Sequence, residues 1–205
     1  MTTQLVNAAP DRHGRAVAAS VSRIMRLRDG MRGDRNAAHP FVHIDCGDGR
    51  VAALVSASAA RVALGADRAP PRRGAVPMVA CLVDRLPFPD GAAAYVVLSD
   101  VLRCATDPVR LVREALRVAR HGVILCDRLV KRRGDRLLLR ALDLADGRPT
   151  PRYWTERQWW EMAERAGAHV THWDRVRDVY PAPASWMFGG HLHVVMVLEP
   201  APPAA

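Results

Sequence analysis

The chain lacks the marks of membrane, secreted and disulfide-rich proteins. No apolar run in its 205 residues approaches the roughly 20 residues that a membrane-spanning helix needs. The N-terminus has no apolar core of a secretory signal, so we expect a cytoplasmic protein. The 4 cysteines are widely spread without a CxxC pair, which argues against a zinc knuckle or a disulfide framework.

Lysine is almost absent, since Lys131 is the single lysine although Lys and Arg together number 30 and the formal net charge is +9. A positive surface attracts polyanions such as RNA. The arginines are scattered in short clusters, however, whereas a dedicated nucleic-acid binder interleaves aromatic residues with its basic stripe. A solvated basic surface is therefore the favoured interpretation, and nucleic acid is a weakly supported partner.

The hydrophobic pattern predicts short strands that alternate with helices, which is typical of βαβ units and a doubly wound sheet. Strands are predicted over 41–44, 62–66, 76–83, 95–99, 123–126, 169–176 and 191–198. Helices are predicted over 14–29, 51–60 and 135–145, after Asp107 with Pro108 at the first helical position, and after Thr155 with Gln158 completing a capping box.

The stretch 41–49, FVHIDCGDG, runs from an apolar strand into a glycine-containing turn, and the next predicted strand is followed by Asp67. This spacing is that of one βαβ unit, in which an acid at the end of the second strand binds ribose hydroxyls. Gly47 and Gly49 would let the backbone pass close under a ligand. The stretch therefore predicts a nucleotide-type cofactor site.

Two further motifs carry a family resemblance. The segment 84–127 contains LPFPDG at 86–91 and E-x-x-R-V at 114–118, and with them it resembles class I S-adenosylmethionine (SAM)-dependent methyltransferases of the small type 11 kind. The resemblance runs in order from 41 to about 198. It implies an α/β, Rossmann-like, doubly wound sheet of seven strands with the last strand antiparallel and helices on both faces. The implied domain covers 41–199, after a tail and cap helix at 1–40 and before a disordered tail at 200–205.

The resemblance also implies a set of cofactor-binding residues. Asp67 would hold the ribose, the segment 82–84 would border the adenine, and Ser99 and Asp100 would lie near the transferred methyl group. The complete implied set is Cys46, Gly47, Gly49, Asp67, Arg68, Val83, Asp84 and Ser99.

Several positions depart from the family pattern. His43 stands where an acid begins the motif, and Asp45 stands where its first glycine lies; in an alternative register Asp45 is the acid and Val51 replaces the last glycine. Leu82 replaces the adenine-side acid, although Asp84 could substitute for it. Two like charges at about 4 Å cost about 1 to 4 kcal/mol, so an aspartate near the methionine carboxylate of SAM would weaken binding. The remaining departures are Ala94 and Cys104.

Three functions stay open at this point. The first is methyl transfer from SAM to a small-molecule acceptor, and the second is a pseudoenzyme that has lost SAM and serves as a binding or partner subunit. RNA methylation is a weaker third. The candidate acceptor-side lid is the apolar loop segment Trp186, Met187 and Phe188.

Two other sequence patterns favour a structural role over a binding or catalytic role. Trp154, Trp159 and Trp160 have helical spacing, which with Trp173 favours core packing over a stacking platform. The pair at 191 and 193 places two imidazoles on one face of a strand, but no third ligand is near in sequence, so we expect no metal site.

Overall fold

The computed structural model describes residues 11–33, 39–132, 134–145, 152–176, 179 and 192–201. No helix in these ranges is long and apolar enough to cross a membrane. The elements in chain order are α1 (Arg12–Arg32), β1 (Phe41–Ile44), α2 (Arg50–Ala59), β2 (Ala63–Asp67), β3 (Met78–Ala80), β4 (Tyr95–Ser99), α3 (Pro108–Val118), β5 (Val123–Val130), α4 (Asp135–Ala145), β6 (Trp154–Thr155), α5 (Glu156–Arg165), β7 (Ala168–Arg175) and β8 (His193–Pro200).

The strands form one mixed sheet in the order β3-β2-β1-β4-β5-β8-β7. β1 to β5 are parallel where they pair, and β8 runs antiparallel between β5 and β7. The predicted Rossmann-like sheet with an antiparallel last strand is confirmed. The two-residue β6, which pairs with β5 beside the main order, is an eighth strand that the pattern did not predict.

Helices cover both faces of the sheet, which explains why β1 and β4 are mostly apolar, with His43 and Ser99 as the polar exceptions. On one face, Leu111 of α3 and Met162 of α5 belong to the same buried cluster as Val42 of β1. On the other face, Val21 of α1 and Val55 of α2 belong to the second cluster. The carboxyl ends of the parallel strands therefore form one sheet edge between two helical layers.

Helix α1 packs on one face of the sheet and is held there by its N-cap and by side-chain hydrogen bonds near its C-terminal end. The carboxylate of Asp11 caps it by accepting a hydrogen bond from the Gly14 amide at 2.7 Å. Near its C-terminal end, Asp29 accepts hydrogen bonds from Arg61 at 2.9 Å and from the hydroxyl of Tyr95 at 2.8 Å. These contacts place the first turn of α1 at the carboxyl ends of the strands.

Most predicted elements agree with the structure within one or two residues, and three do not. The predicted helix 14–29 extends to Arg12–Arg32 because its caps lie further out. The predicted strand 76–83 is reduced to Met78–Ala80, a partly exposed edge strand. The predicted strand 123–126 continues to Val130, because buried charged residues pair with β8. The predicted last strand begins at His193, and residue 191 lies outside the described residues.

Candidate functional site

The turn after β1 keeps the backbone conformation of a glycine motif. Asp45, Gly47 and Gly49 have φ values of 54°, 59° and 78°, which lie in the left-handed region. An added Cβ at Gly47 would meet nothing within 4 Å, so the space beside this residue is open for a ligand. At Gly49 an added Cβ would lie 2.9 Å from the side chain of Val76, so this glycine is required for packing.

Asp67 at the end of β2 faces this turn. Its Oδ2 accepts a hydrogen bond from the Gly47 amide at 2.9 Å, and its Oδ1 accepts one from the Ala69 amide at 3.0 Å. Each carboxylate oxygen can accept a second bond, so Asp67 retains capacity for hydroxyl donors. Loss of solvation first, and the nearby Asp67 carboxylate second, raise the pKa of Asp45 above its usual range.

A contact between two sulfur atoms joins the turn after β1 to strand β3. The Sγ of Cys46 lies 3.7 Å from the Sδ of Met78. An added Cβ at Gly65 would lie 2.3 Å from that Sδ and 2.7 Å from that Sγ, so β2 needs glycine at this position. Burial raises the pKa of Cys46 to about 12, so it remains a thiol at neutral pH. Cys46 therefore has a packing role in this turn.

His43 occupies the place of the family's acid and is buried in β1. Its Nε2 lies 2.6 Å from the hydroxyl of Ser99 in β4, and its Nδ1 is buried with no hydrogen-bond partner within the described residues. Burial lowers the pKa of His43 to about 4, so the imidazole is neutral at pH 7. The side chain of His43 therefore carries no charge beneath the glycine turn at pH 7.

A polar cluster lies beside this turn, where three elements meet. Asp100 follows β4, His13 lies in the first turn of α1, and His193 begins β8. The Asp100 Oδ2 is 2.6 Å from the Nε2 of His13, and its Oδ1 is 3.6 Å from the Nε2 of His193 and 3.5 Å from a guanidinium nitrogen of Arg103. Burial by itself would raise the pKa of Asp100, but the two histidines hold it well below its usual range.

Asp127 in β5 adds a second buried carboxylate next to this cluster. Its Oδ1 is 3.9 Å from the Nε of Arg103, and its Oδ2 has no hydrogen-bond partner within the part of the chain that is described. Burial, and then the charge of Asp100, raise the pKa of Asp127 to about 7. The sequence signal for this residue is a charge at the end of an apolar strand, which the motif analysis passed over.

A pocket of about 320 Å³ joins the turn to the polar cluster. Of the predicted cofactor residues, the structure brings Cys46, Gly47 and Ser99 to its wall, and of the predicted departures it brings Asp45 and Cys104. The sequence analysis missed the remaining polar wall residues, His13 and Arg103, because no local motif surrounds them.

The other predicted residues are not among those in the wall of this pocket. Val83 is buried, Leu82 is exposed, and Asp84 forms an ion pair with Arg110 at 3.6 Å. Arg68 is exposed next to Asp67, and Ala94 is buried at the start of β4. The candidate lid, Trp186, Met187 and Phe188, lies outside the described residues.

A larger cavity of about 870 Å³ lies elsewhere, between α3, α4 and α5. Its wall carries four arginines and none of the predicted cofactor residues. Trp154 stacks on the buried Trp159 with ring centroids 4.9 Å apart, and Trp160 stacks on Trp173 at 5.9 Å. Trp159 is therefore in the core as the core-packing interpretation expects, whereas Trp160 is exposed and stacks on a partly buried Trp173 at the surface.

Comparisons with known proteins agree with this geometry. Residues 42–126 match the family model described as a methyltransferase domain. This segment begins in β1 and ends in β5, so it contains the glycine turn, Asp67 and Asp100. No curated protein matches the sequence of the chain.

Solved structures resemble the whole described fold. A Haloferax volcanii protein described as a methyltransferase, in complex with the Trm112 methyltransferase activator, is 14% identical with a TM-score of 0.63, covering 94% of this chain and 98% of that one. A Bacillus halodurans protein, also described as a methyltransferase, is 15% identical with a TM-score of 0.62, covering 90% of this chain and 99% of that one.

Magnesium protoporphyrin IX methyltransferase from Synechocystis, solved with bound S-adenosylhomocysteine (SAH), is 10% identical with a TM-score of 0.60, covering 91% of this chain and 84% of that one. At these identities the likeness concerns the fold. The chain therefore has the fold of these methyltransferases, and its segment 42–126 is similar to the methyltransferase-domain family.

Proposed function

We propose that the protein transfers a methyl group from SAM to a small-molecule acceptor in the pocket between the glycine turn and the polar cluster. One observation carries the proposal: the Gly47–Asp67 hydrogen bond and Asp100 lie at the same sheet edge, on either side of a pocket of about 320 Å³. That volume suits a small ligand. Ligands of open α/β sheets also bind at the carboxyl ends of the strands.

The residues of the turn fit the nucleoside part of SAM. Gly47 has a left-handed backbone and open space beside it, and Asp67 retains acceptor capacity for ribose hydroxyls. When bound, SAM would supply an electrophilic methyl group on a sulfonium. Asp45 would lie against the methionine end, where its charge opposes binding without changing the shape of the turn.

In this reaction the protein would act mainly by positioning the acceptor. Methyl transfer gains most of its rate from proximity and alignment, so it needs no dedicated general base. Ser99, Asp100 and Arg103 give the pocket wall hydrogen-bonding groups of both polarities, which would orient a polar acceptor.

The positive charge gives little support to RNA, because arginines form ion pairs within the protein. Arg28 and Arg32 contact Glu199, and Arg61 contacts Asp29. Exposed arginines remain, and a steep loss of RNA affinity with salt would be the signature of binding through them.

A second candidate function is a non-catalytic partner subunit, and Asp45 is the observation that favours it. A carboxylate at the methionine end would weaken SAM binding by one to three decades. The Haloferax volcanii neighbour is in a complex with an activator, so a protein partner is consistent with this fold.

Calorimetric titration with SAM and SAH separates the two candidates. We expect micromolar binding that Asp67→Ala weakens at least tenfold. Asp90→Ala is the matched control, because Asp90 is an exposed carboxylate at the opposite sheet edge. If the folded wild-type protein binds neither compound at millimolar concentration, methyl transfer is refuted and the partner-subunit function is favoured.

A further inference from the structure

The polar cluster has a composition and geometry that methyl transfer does not require. We propose that His13, Asp100 and His193 bind one divalent transition-metal ion, with Zn²⁺ as the best match to the donor set. The ion site does not depend on SAM binding, so it would exist in an active enzyme and in a non-catalytic protein alike.

Three parts of the fold bring these side chains together. His13 comes from the N-terminal turn of α1, Asp100 from the carboxyl end of β4, and His193 from the first residue of the antiparallel β8. One ligand atom from each residue lies within 4.8 Å of the other two. The imidazole rings of the histidines lie edge to face with centroids 4.8 Å apart. The sheet topology therefore supplies the third ligand that the sequence around residue 193 lacks.

The distances are close to those of a metal centre. The Nε2 atoms of the histidines lie 2.6 Å and 3.6 Å from the two oxygens of Asp100. In a tetrahedral zinc site with bonds of about 2.0 to 2.1 Å, neighbouring ligand atoms are about 3.3 Å apart. The widest separation among the three ligand atoms is up to 4.8 Å, so changes of up to about 1.5 Å, which side-chain rotation can supply, would reach this arrangement.

The donor set is that of an ion with an open coordination position. Two imidazole nitrogens and one carboxylate oxygen suit zinc and other first-row metals, whereas Mg²⁺ and Ca²⁺ prefer all-oxygen sites. Three protein ligands leave the fourth position for water or a substrate atom. Since His13 and Asp100 line the pocket, this position would face its interior.

The surrounding charges also leave room for a cation. Arg103 lies 3.5 Å from the Asp100 Oδ1 and would compete with an ion for that oxygen. Asp127, at 3.9 Å from Arg103, offers this guanidinium an alternative partner. Asp45 lies in the pocket wall, and Arg128 is beside His193. The site therefore has three acidic residues around it, Asp45, Asp100 and Asp127. They face two guanidinium groups, those of Arg103 and Arg128.

The backbone of Asp100 supports a role beyond packing. Its φ of 55° is in the left-handed region, which costs an L-residue about 1 to 2 kcal/mol. Strained residues of this kind cluster at functional sites. The strained backbone holds a partly buried carboxylate between two imidazoles, and its Oδ1 accepts no hydrogen bond within the described residues. A ligating cation would satisfy that oxygen.

The test uses the full chain without a histidine tag, freed of metal by a chelator and then titrated with ZnCl₂ alone by calorimetry. We expect one ion per chain with micromolar or tighter affinity. In a parallel titration with CoCl₂, visible absorption bands of a low-symmetry Co²⁺ site should appear and saturate at the same ratio. Failure to see saturable binding of either metal would overturn the proposal, whatever the result with SAM.

Variants distinguish this site from adventitious binding. His13→Ala and Asp100→Asn should each weaken Zn²⁺ binding at least tenfold, while circular dichroism verifies that both variants are folded. His169→Ala is the control, because His169 is an exposed histidine on β7 and should leave binding unchanged. Equal affinity in the His13→Ala, Asp100→Asn and control variants would assign the metal to another place and refute the site.

Discussion

Asp45 is the residue at which a single substitution should most change ligand binding. It follows β1, where one register of the family resemblance predicts the first glycine, and it has a left-handed φ of 54°. Asp45→Gly removes the carboxylate and keeps the conformation, since glycine adopts this region freely. The substitution therefore tests charge at the methionine end of the site without remodelling the turn.

The expected change in affinity follows from Coulomb's law. Two unit charges at about 4 Å repel by about 1 kcal/mol in bulk water and by about 4 kcal/mol near a protein surface. Removing the Asp45 charge should then tighten SAH binding by about one to three decades.

The expected change in stability is smaller. Relief of the left-handed strain, about 1 to 2 kcal/mol, is partly offset by the greater freedom of glycine in the unfolded chain, about 0.5 to 1 kcal/mol. Stability and affinity should therefore respond by different amounts, and the affinity change is the decisive one.

Calorimetric titration of SAH into wild type, Asp45→Gly and Asp45→Asn measures the charge effect directly. Asparagine tolerates the left-handed conformation and carries no charge, so both variants should gain affinity. A gain with glycine alone would mean that backbone freedom and not charge is the obstacle. If neither variant binds more tightly than wild type, the like-charge explanation is wrong.

Three further predictions concern stability, measured by urea unfolding. Because burial lowers the pKa of His43 to about 4, the folded state loses stability as pH falls from about 6.5 to about 4, by about 3 kcal/mol. The variant His43→Gln can keep the hydrogen bond to Ser99 but does not titrate, so it should flatten this pH dependence. Burial raises the pKa of Asp127 to about 7, so stability falls as pH rises from about 4 to about 7; Asp127→Asn should stabilise the protein more at high than at low pH, by up to about 4 kcal/mol. Gly65→Ala should cost about 1 to 3 kcal/mol, and Met78→Ala in the same chain should recover part of that loss, because the added Cβ would lie 2.3 Å from the Met78 sulfur. An unchanged pH profile in either charge variant, or no recovery in the double variant, would contradict the corresponding reasoning.

The elements that local chemistry specifies were predictable from the sequence. β1 and β4 have the predicted bounds because they are buried on both faces and mostly apolar. Thr155 and Gln158 form the predicted capping box, and Asp107 caps α3 as predicted. In each case the signal and the structure concern neighbouring residues.

The elements that tertiary packing specifies were not predictable. β5 continues through Asp127 and Arg128, although charged residues normally end an apolar strand, because β8 and α5 cover both residues. The two-residue β6 exists through its pairing with β5. Burial of these charges results from the arrangement of distant segments, which no local pattern encodes.

The residues of the candidate site also fall into two groups, those that a local pattern predicts and those that only the tertiary fold brings together. The glycine turn and Asp67 follow from the βαβ spacing, and in the structure a hydrogen bond between the Gly47 amide and Asp67 joins them. His13 and His193, by contrast, come from opposite ends of the chain and meet at Asp100 through the path of α1 and the antiparallel direction of β8. A search for ligands close together in sequence could not have found this set.

The conformation of Asp45 bears on which function the chain has. A turn released from cofactor binding has no reason to keep a non-glycine residue in the left-handed region, because relaxing to an ordinary conformation would recover about 1 to 2 kcal/mol. Yet Asp45 and Asp100 both keep this conformation, and both line the same pocket. Strained residues cluster at functional sites, so these two conformations support the proposed ligand-binding role of the pocket. The departure at Asp45 is then one of charge on a preserved backbone, which favours a reshaped ligand preference over a scaffold without ligands.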